Sequence, residues 1–184
     1  MEINTKKTAS HFSDTAFDQL MQKRIHKVLL ICSSYDAFML EEDGRIDEQI
    51  FNEYVSLNLR YPPHFIQVSS ADEAFDVLGN EQIDLVITML SVGGMDPFSL
   101  ARKVKENYTD TPIVVLTPYS REVSLQLSRE DTSAIDYVFC WLGNSNLLLA
   151  IIKLIEDGMN AEHDIHEIGV QSILLIEDSV RFYS

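Results

Sequence analysis

The stretch "DLVITMLSVGGMDPF" (residues 84–98) decides the fold. Its apolar run, Leu85 to Met89, is continuous and rich in β-branched residues, as in a strand covered on both faces of a parallel sheet. Two glycines then permit a tight loop, and Pro97 suits the first turn of a helix. Strand, loop and helix in that order form the unit with which α/β proteins present a reactive group. The residue at the strand's carboxyl end is Met89, whose thioether is a poor reactive group.

Working outward, "KVLLIC" (27–32), "HFIQVS" (64–69), "IDLVITM" (83–89), "TPIVVL" (111–116) and "AIDYVFC" (134–140) read as strands. Candidate helices lie between them. The first spans 45–59. The second, "SADEAFDVLGN", opens on Ser70 as N-cap with Glu73 three positions on, and closes at Gly79. The third starts at Pro97, a polar one covers 120–130, and the most apolar covers 144–158. Strict alternation predicts right-handed crossovers and a three-layer, doubly wound α/β sandwich with a five-stranded parallel sheet. The working crevice of such a sheet lies outside the strands' carboxyl ends. Cys32, Met89, Thr117 and Cys140 therefore surround one site. Upstream, 13–24 has the spacing of a short leading helix. Downstream, "MNAEHDIHEIG" is polar and reads as a linker over 159–170 or as an extension of the last helix.

The formal net charge of −15 opposes non-specific nucleic-acid binding and docking on anionic lipid. No apolar run approaches the roughly 18–20 residues that span a bilayer, and the N-terminus lacks the apolar core of a signal peptide. A cytoplasmic location is expected, with Cys32 and Cys140 as reduced core thiols.

"VLLICSS" (28–34) and "ILLIEDS" (173–179) align at an offset of about 145 residues, the spacing of a repeated domain. Glu177 and Asp178 stand in the second copy where Cys32 and Ser33 stand in the first. "ILLIEDS" resembles the opening strand of response-regulator receiver domains, which ends in an acid pair. The rest of the first domain then aligns with the receiver pattern. "DLVITMLSVGGMDPFSL" resembles the acceptor strand and its Met-Asp-Gly-Phe loop, with Pro97 replacing Gly. "TPIVVLT" resembles the fourth strand, with Thr117 at the Ser/Thr switch position. "AIDYVFCW" resembles the fifth, with Tyr137 at the aromatic switch position. The resemblance implies a flavodoxin-like sheet of order 2-1-3-4-5. It also implies four segments: an N-terminal tail (1–24), a receiver-like domain (25–158), the linker (159–170) and the first strand of a second receiver (171–184). The parent chain resembles bacterial proteins that join receiver-like modules to a pyruvate phosphate dikinase or phosphoenolpyruvate-synthase-type region.

Receivers hold Mg²⁺ with the acid pair and the acceptor Asp, and pair the phosphoryl group with a Lys. This sequence offers Cys32 and Ser33 for the acids, Met89 for the acceptor and Cys140 for the Lys, with Trp141 where a Pro is usual. The expectation is a pseudo-receiver with no catalytic residue, no metal and no cofactor. Its partner would be a protein or a second copy, met through roughly residues 119–158, including Leu125, Leu127 and Val138. Two other functions stand beside it: phosphorylation on another residue such as Asp96, and a small-molecule pocket around Met89. Of the lesser motifs, "HDIHE" (163–167) reads as solvated linker, and "EEDGRIDE" (41–48) as the acidic start of a helix. "YDAFMLEEDGRIDEQ" is either a flap carrying Tyr35, Phe38 and Met39 over the pocket or an early helical turn.

Overall fold

The computed structural model describes residues 19–41, 45–90, 92–117, 129–141 and 146–170. Five parallel strands form one sheet: β1 (Lys27–Ile31), β2 (His64–Val68), β3 (Leu85–Met89), β4 (Ile113–Thr117) and β5 (Tyr137–Cys140), in the order β2-β1-β3-β4-β5. The expected flavodoxin-like order is the observed one. All five residues of β3 and of β4 are buried, which is why their sequences do not alternate.

Alternate side chains leave the two faces and meet different helices. On one face Val28, Leu30, Leu85, Ile87 and Leu116 pack beneath α1 (Ser34–Leu40), α2 (Ile46–Ser56) and α5 (Asn146–His163). On the other, Leu29, Ile31, Val86 and Ile113 meet Ala71, Ala74 and Leu78 of α3 (Ala71–Asn80) and Leu100, Ala101 and Val104 of α4 (Pro97–Asn107).

The helix starts follow their caps. Ser70 Oγ accepts from the Glu73 amide at 3.3 Å, and the Glu73 carboxylate accepts from the Ser69 amide at 2.8 Å. Asp96 accepts from the Ser99 amide at 2.9 Å, with Pro97 just inside α4. Helix α3 runs through Gly79 to Asn80 rather than closing at the glycine, since an exposed helix position tolerates glycine at a modest cost.

Half of the leading helix expected over 13–24 lies outside the described residues; in the described part residues 20–24 are not helical, and Met21 takes a φ of 53°. Of the two readings of the polar stretch after 158, the helical extension is the observed one. Helix α5 continues to His163, and a π-helical turn covers Asp164–Ile168 before Gly169, whose φ of 78° ends it. Three polar residues at four-residue spacing, Glu156, Asn160 and Asp164, are buried on this helix and read the backbone of 21–25. Glu156 Oε1 accepts from the Ile25 amide at 3.0 Å, Asn160 Oδ1 from Lys23 at 2.8 Å, and Asp164 Oδ2 from Met21 at 3.2 Å. The expected helix over 120–130 falls almost wholly outside the described residues, as do Leu125, Leu127 and the second acid pair, Glu177 and Asp178.

Candidate functional site

The carboxyl ends of the strands bring the expected residues together as two pairs. Cys32 extends β1 by one residue, its amide donating to Val68 O at 3.1 Å, and Met89 ends β3 opposite Leu116. Cys32 and Met89 are 1% and 4% exposed and share one apolar cluster with Ala37 and Leu40 of α1. Thr117 and Cys140 are register partners on β4 and β5, and the Trp141 amide donates to Thr117 O at 2.9 Å. They stand one step beyond Leu116 and Phe139 and so have the opposite facing. Tyr137 lies three residues back from Cys140, opposite Val114, stacked on Phe139 with ring centroids 6.1 Å apart.

Helix α1 lies directly over the first pair. The early-helix alternative is therefore the observed one, but its cover comes from Ala37 and Leu40. Tyr35 and Phe38, expected as cover, are 71% and 68% exposed. Ser33 starts this helix. Its Oγ accepts from the Asp36 amide at 3.1 Å and donates to the Asp36 carboxylate at 2.6 Å. The sequence signal was available, since Ser33-x-x-Asp36 has the spacing of a reciprocal cap. Asp36 is a carboxylate beside the site that sequence reasoning missed.

The electrostatics follow from this packing. Burial, then the nearby Asp36 and Glu41 carboxylates, push the Cys32 thiol up to about 12, so it keeps its proton at neutral pH. Burial also raises Cys140. The two thiols are free. Their strands are separated by β3 and β4, placing them about 14 Å apart at the usual interstrand spacing, beyond disulfide reach. Mg²⁺ requires hard oxygen donors in near-octahedral array. A protonated thiol, a thioether and a serine hydroxyl already held by Asp36 do not fit it. Asp96, the other acceptor considered, is exposed at the start of α4, and its bonds from Ser99 hold its pKa low.

The loop after Met89 depends on both glycines. Gly94 has a φ of 91°. Gly93 bridges Ser70, with its amide donating to Ser69 O at 3.4 Å, and a Cβ there would sit 3.3 Å from that same oxygen. His163 is held by Asp164, Nδ1 to Oδ1 at 2.9 Å, and belongs to the clasp on 21–25. Among the described residues no group of three or more His, Cys, Asp or Glu is arranged to hold a metal ion. No described helix is long and apolar enough to cross a membrane.

No protein-family model matches the sequence, and no curated protein sequence matches it. The structural matches are receiver domains. A signal receiver domain of an HD-domain-containing protein from Pseudomonas fluorescens Pf-5 shares 19% identity, with 77% of this chain and 94% of that one covered, at a TM-score of 0.53. The fold is that of response-regulator receiver domains. A CheY-like receiver domain protein from Methanospirillum hungatei JF-1 superimposes at 0.55, with 18% identity over 75% of this chain and 98% of its own. A chain from the complex of histidine kinase ThkA with response regulator TrrA gives 0.53, with 19% identity over 71% and 98%. Each of these matches covers nearly the whole of the receiver chain it is compared with.

Proposed function

We propose that this chain is a receiver-like signalling domain that takes up no phosphoryl group and works as a regulatory protein-interaction module. One observation supports the reading: Met89, which the resemblance aligns with the acceptor, ends β3 and is 4% exposed, in an apolar cluster with a protonated Cys32. A thioether has no oxygen to attack phosphorus. No carboxylate stands at the acid-pair positions to anchor a cation, and Cys140 supplies no positive charge to the transition state. Retaining acid groups in this cluster without their metal would bury like charges together, so their replacement by apolar groups favours the fold.

On this reading the stretch is not an enzyme and works in the cytoplasm. Its partner contact lies on 119–158, whose described part offers half-buried Val138 and exposed Ala150 and Leu154. Residues 171–184 begin a second receiver whose acid pair is Glu177 and Asp178, in a parent chain with a phosphoenolpyruvate-utilising region. The deciding experiment is incubation of the chain with a small phosphodonor and Mg²⁺, followed by intact-mass measurement. An unchanged mass is expected. A stoichiometric phosphoryl adduct overturns the proposal, and mapping it to Asp96 would establish the alternative acceptor.

A further inference from the structure

We infer that edge strand β2 is guarded against the addition of a further strand: Asp47, Glu73 and Pro63 remove the main-chain positions at which a second copy of this chain would pair. The inference is independent of the proposed function, because the edge is the same whether or not the chain accepts phosphate.

β2 closes one side of the sheet, with β1 as its only neighbour there. An edge strand offers a row of unpaired N–H and C=O groups to any other strand. Two bonds fix which groups these are. The His64 amide donates to His26 O at 2.8 Å, and Val68 O accepts from the Cys32 amide at 3.1 Å. Facing alternates along a strand, so residues 64, 66 and 68 turn their main-chain groups toward β1. Residues 65, 67 and 69 turn theirs away from the sheet. The strand's side chains do little to discourage pairing. Phe65 is buried, Ile66 and Val68 are half-buried, and none of the five is a Lys, Arg, Asp or Glu.

The outward donors are almost all taken. The Phe65 amide donates to Asp47 Oδ1 of α2 at 3.2 Å, and the same oxygen lies 3.9 Å from His64 Nδ1. The Ser69 amide donates to Glu73 Oε2 of α3 at 2.8 Å, and the Ser69 hydroxyl donates to that oxygen at 3.2 Å. These bonds hold the Glu73 carboxyl below the usual carboxylate range, so it stays charged. Pro63, at the preceding outward position, has no N–H to offer. Among the described residues, the Gln67 amide is the one outward donor of this strand left without a partner. A lone rung between two carboxylates suits no incoming strand, whose carbonyl oxygens the carboxylates repel. A helix start accounts for acids in the first turns of α2 and α3, and Glu48 and Asp72 serve it equally. It does not account for two helices, one on each face of the sheet, each aiming a carboxylate at outward amides of the same strand.

The test uses the full chain carrying Asp47→Ala with Glu73→Ala, against a control carrying Glu48→Ala with Asp72→Ala. Each pair removes one first-turn acid from each of the same two helices, so charge and helix starts change alike. Only the first pair touches the edge. In sedimentation the edge variant is expected to self-associate roughly tenfold or more tightly than the parent and the control. Hydrogen exchange should show the Gln67 amide newly protected in the associated form. Adding Gln67→Pro to the edge variant removes that last N–H and should restore the parent's sedimentation. If the edge variant fails to fold, Asp47→Ala against Glu48→Ala carries the same comparison with a smaller effect. Equal sedimentation of the edge variant and the control overturns the inference. So does association that leaves the Gln67 amide unprotected or survives Gln67→Pro, since the contact then lies elsewhere. A parent chain that already pairs through a protected Gln67 amide overturns it too.

Discussion

Substituting Asn160 by leucine tests the clasp between α5 and residues 21–25 at its centre. Asn160 is 1% exposed, and its amide accepts from the Lys23 N–H at 2.8 Å while donating to Lys23 O and Glu156 O, each at 2.7 Å. Leucine keeps most of the volume and removes all three bonds. The Glu156 carbonyl belongs to the helix, so the cost falls on the Lys23 N–H and C=O, both left facing an apolar side chain. An unsatisfied buried backbone group costs roughly 1–3 kcal/mol, and for two in a part-buried setting we expect about 2–3 kcal/mol in all. For a domain of this size that lowers the melting temperature by roughly 5–10 °C. Asn107→Leu is the control, because that side chain is exposed and makes one bond of 3.4 Å; its effect should stay within about 0.5 kcal/mol. Urea denaturation followed by circular dichroism measures both, and hydrogen exchange should show protection lost at the Lys23 amide. Asn160→Leu matching the control, or an unaltered Lys23 amide, would refute the reasoning.

Met89→Asp places a carboxylate at the end of β3 in a site that is 4% exposed, and burying that unpaired charge should cost about 3 kcal/mol while giving no phosphoryl adduct by mass; an adduct at residue 89 would contradict the proposed chemistry. Cys32 keeps its proton to about pH 12 in the fold, against 9.0 for the free thiol. Between those values the unfolded chain has released a proton that the native chain retains, so its contribution is intact below pH 9 and is lost as pH rises toward 12. Thermal unfolding across that range should fall less steeply for Cys32→Ala than for the parent, and parallel curves would remove Cys32 as a cause. Gly158 lies within α5 with nothing within 4 Å of an added Cβ, so Gly158→Ala should stabilise by about 0.5–1 kcal/mol. Gly94→Ala, at a φ of 91°, should destabilise by about 1 kcal/mol or more; calorimetry checks the opposite signs.

The sheet was legible because its strands are buried on both faces. Leu85–Met89 and Ile113–Thr117 carry continuous apolar runs that need no knowledge of their neighbours. The site positions were legible for a related reason: a carboxyl end is fixed once its strand is known. Sequence reasoning failed where polar groups do the packing. Glu156, Asn160 and Asp164 share one helix face, but their partners are backbone amides more than 130 positions away, and hydropathy patterns do not register such pairing. The same residues thus read as the end of a helix and a solvated linker. At α1 the error was one of facing. Tyr35 and Phe38 looked like cover because they are large and apolar, whereas smaller Ala37 and Leu40 are the ones turned inward. Gly79 misled because glycine marks helix ends statistically, while this helix ends one residue later.

The clasp on 21–25 grips mainly main chain, with the Arg24 side chain as the exception at 3.5 Å from Glu156, and that shapes how the protein can evolve. At position 23 α5 needs only the main-chain N–H and C=O in the right place, so most substitutions there leave the grip intact. Position 21, at a φ of 53°, also disfavours β-branched residues, and proline breaks the grip because it brings no N–H. Positions 156, 160 and 164 have no such latitude, since each supplies the specific oxygen that receives one. Chain entering the domain can therefore be respliced onto new upstream partners with little constraint, while the helix that receives it is held fixed.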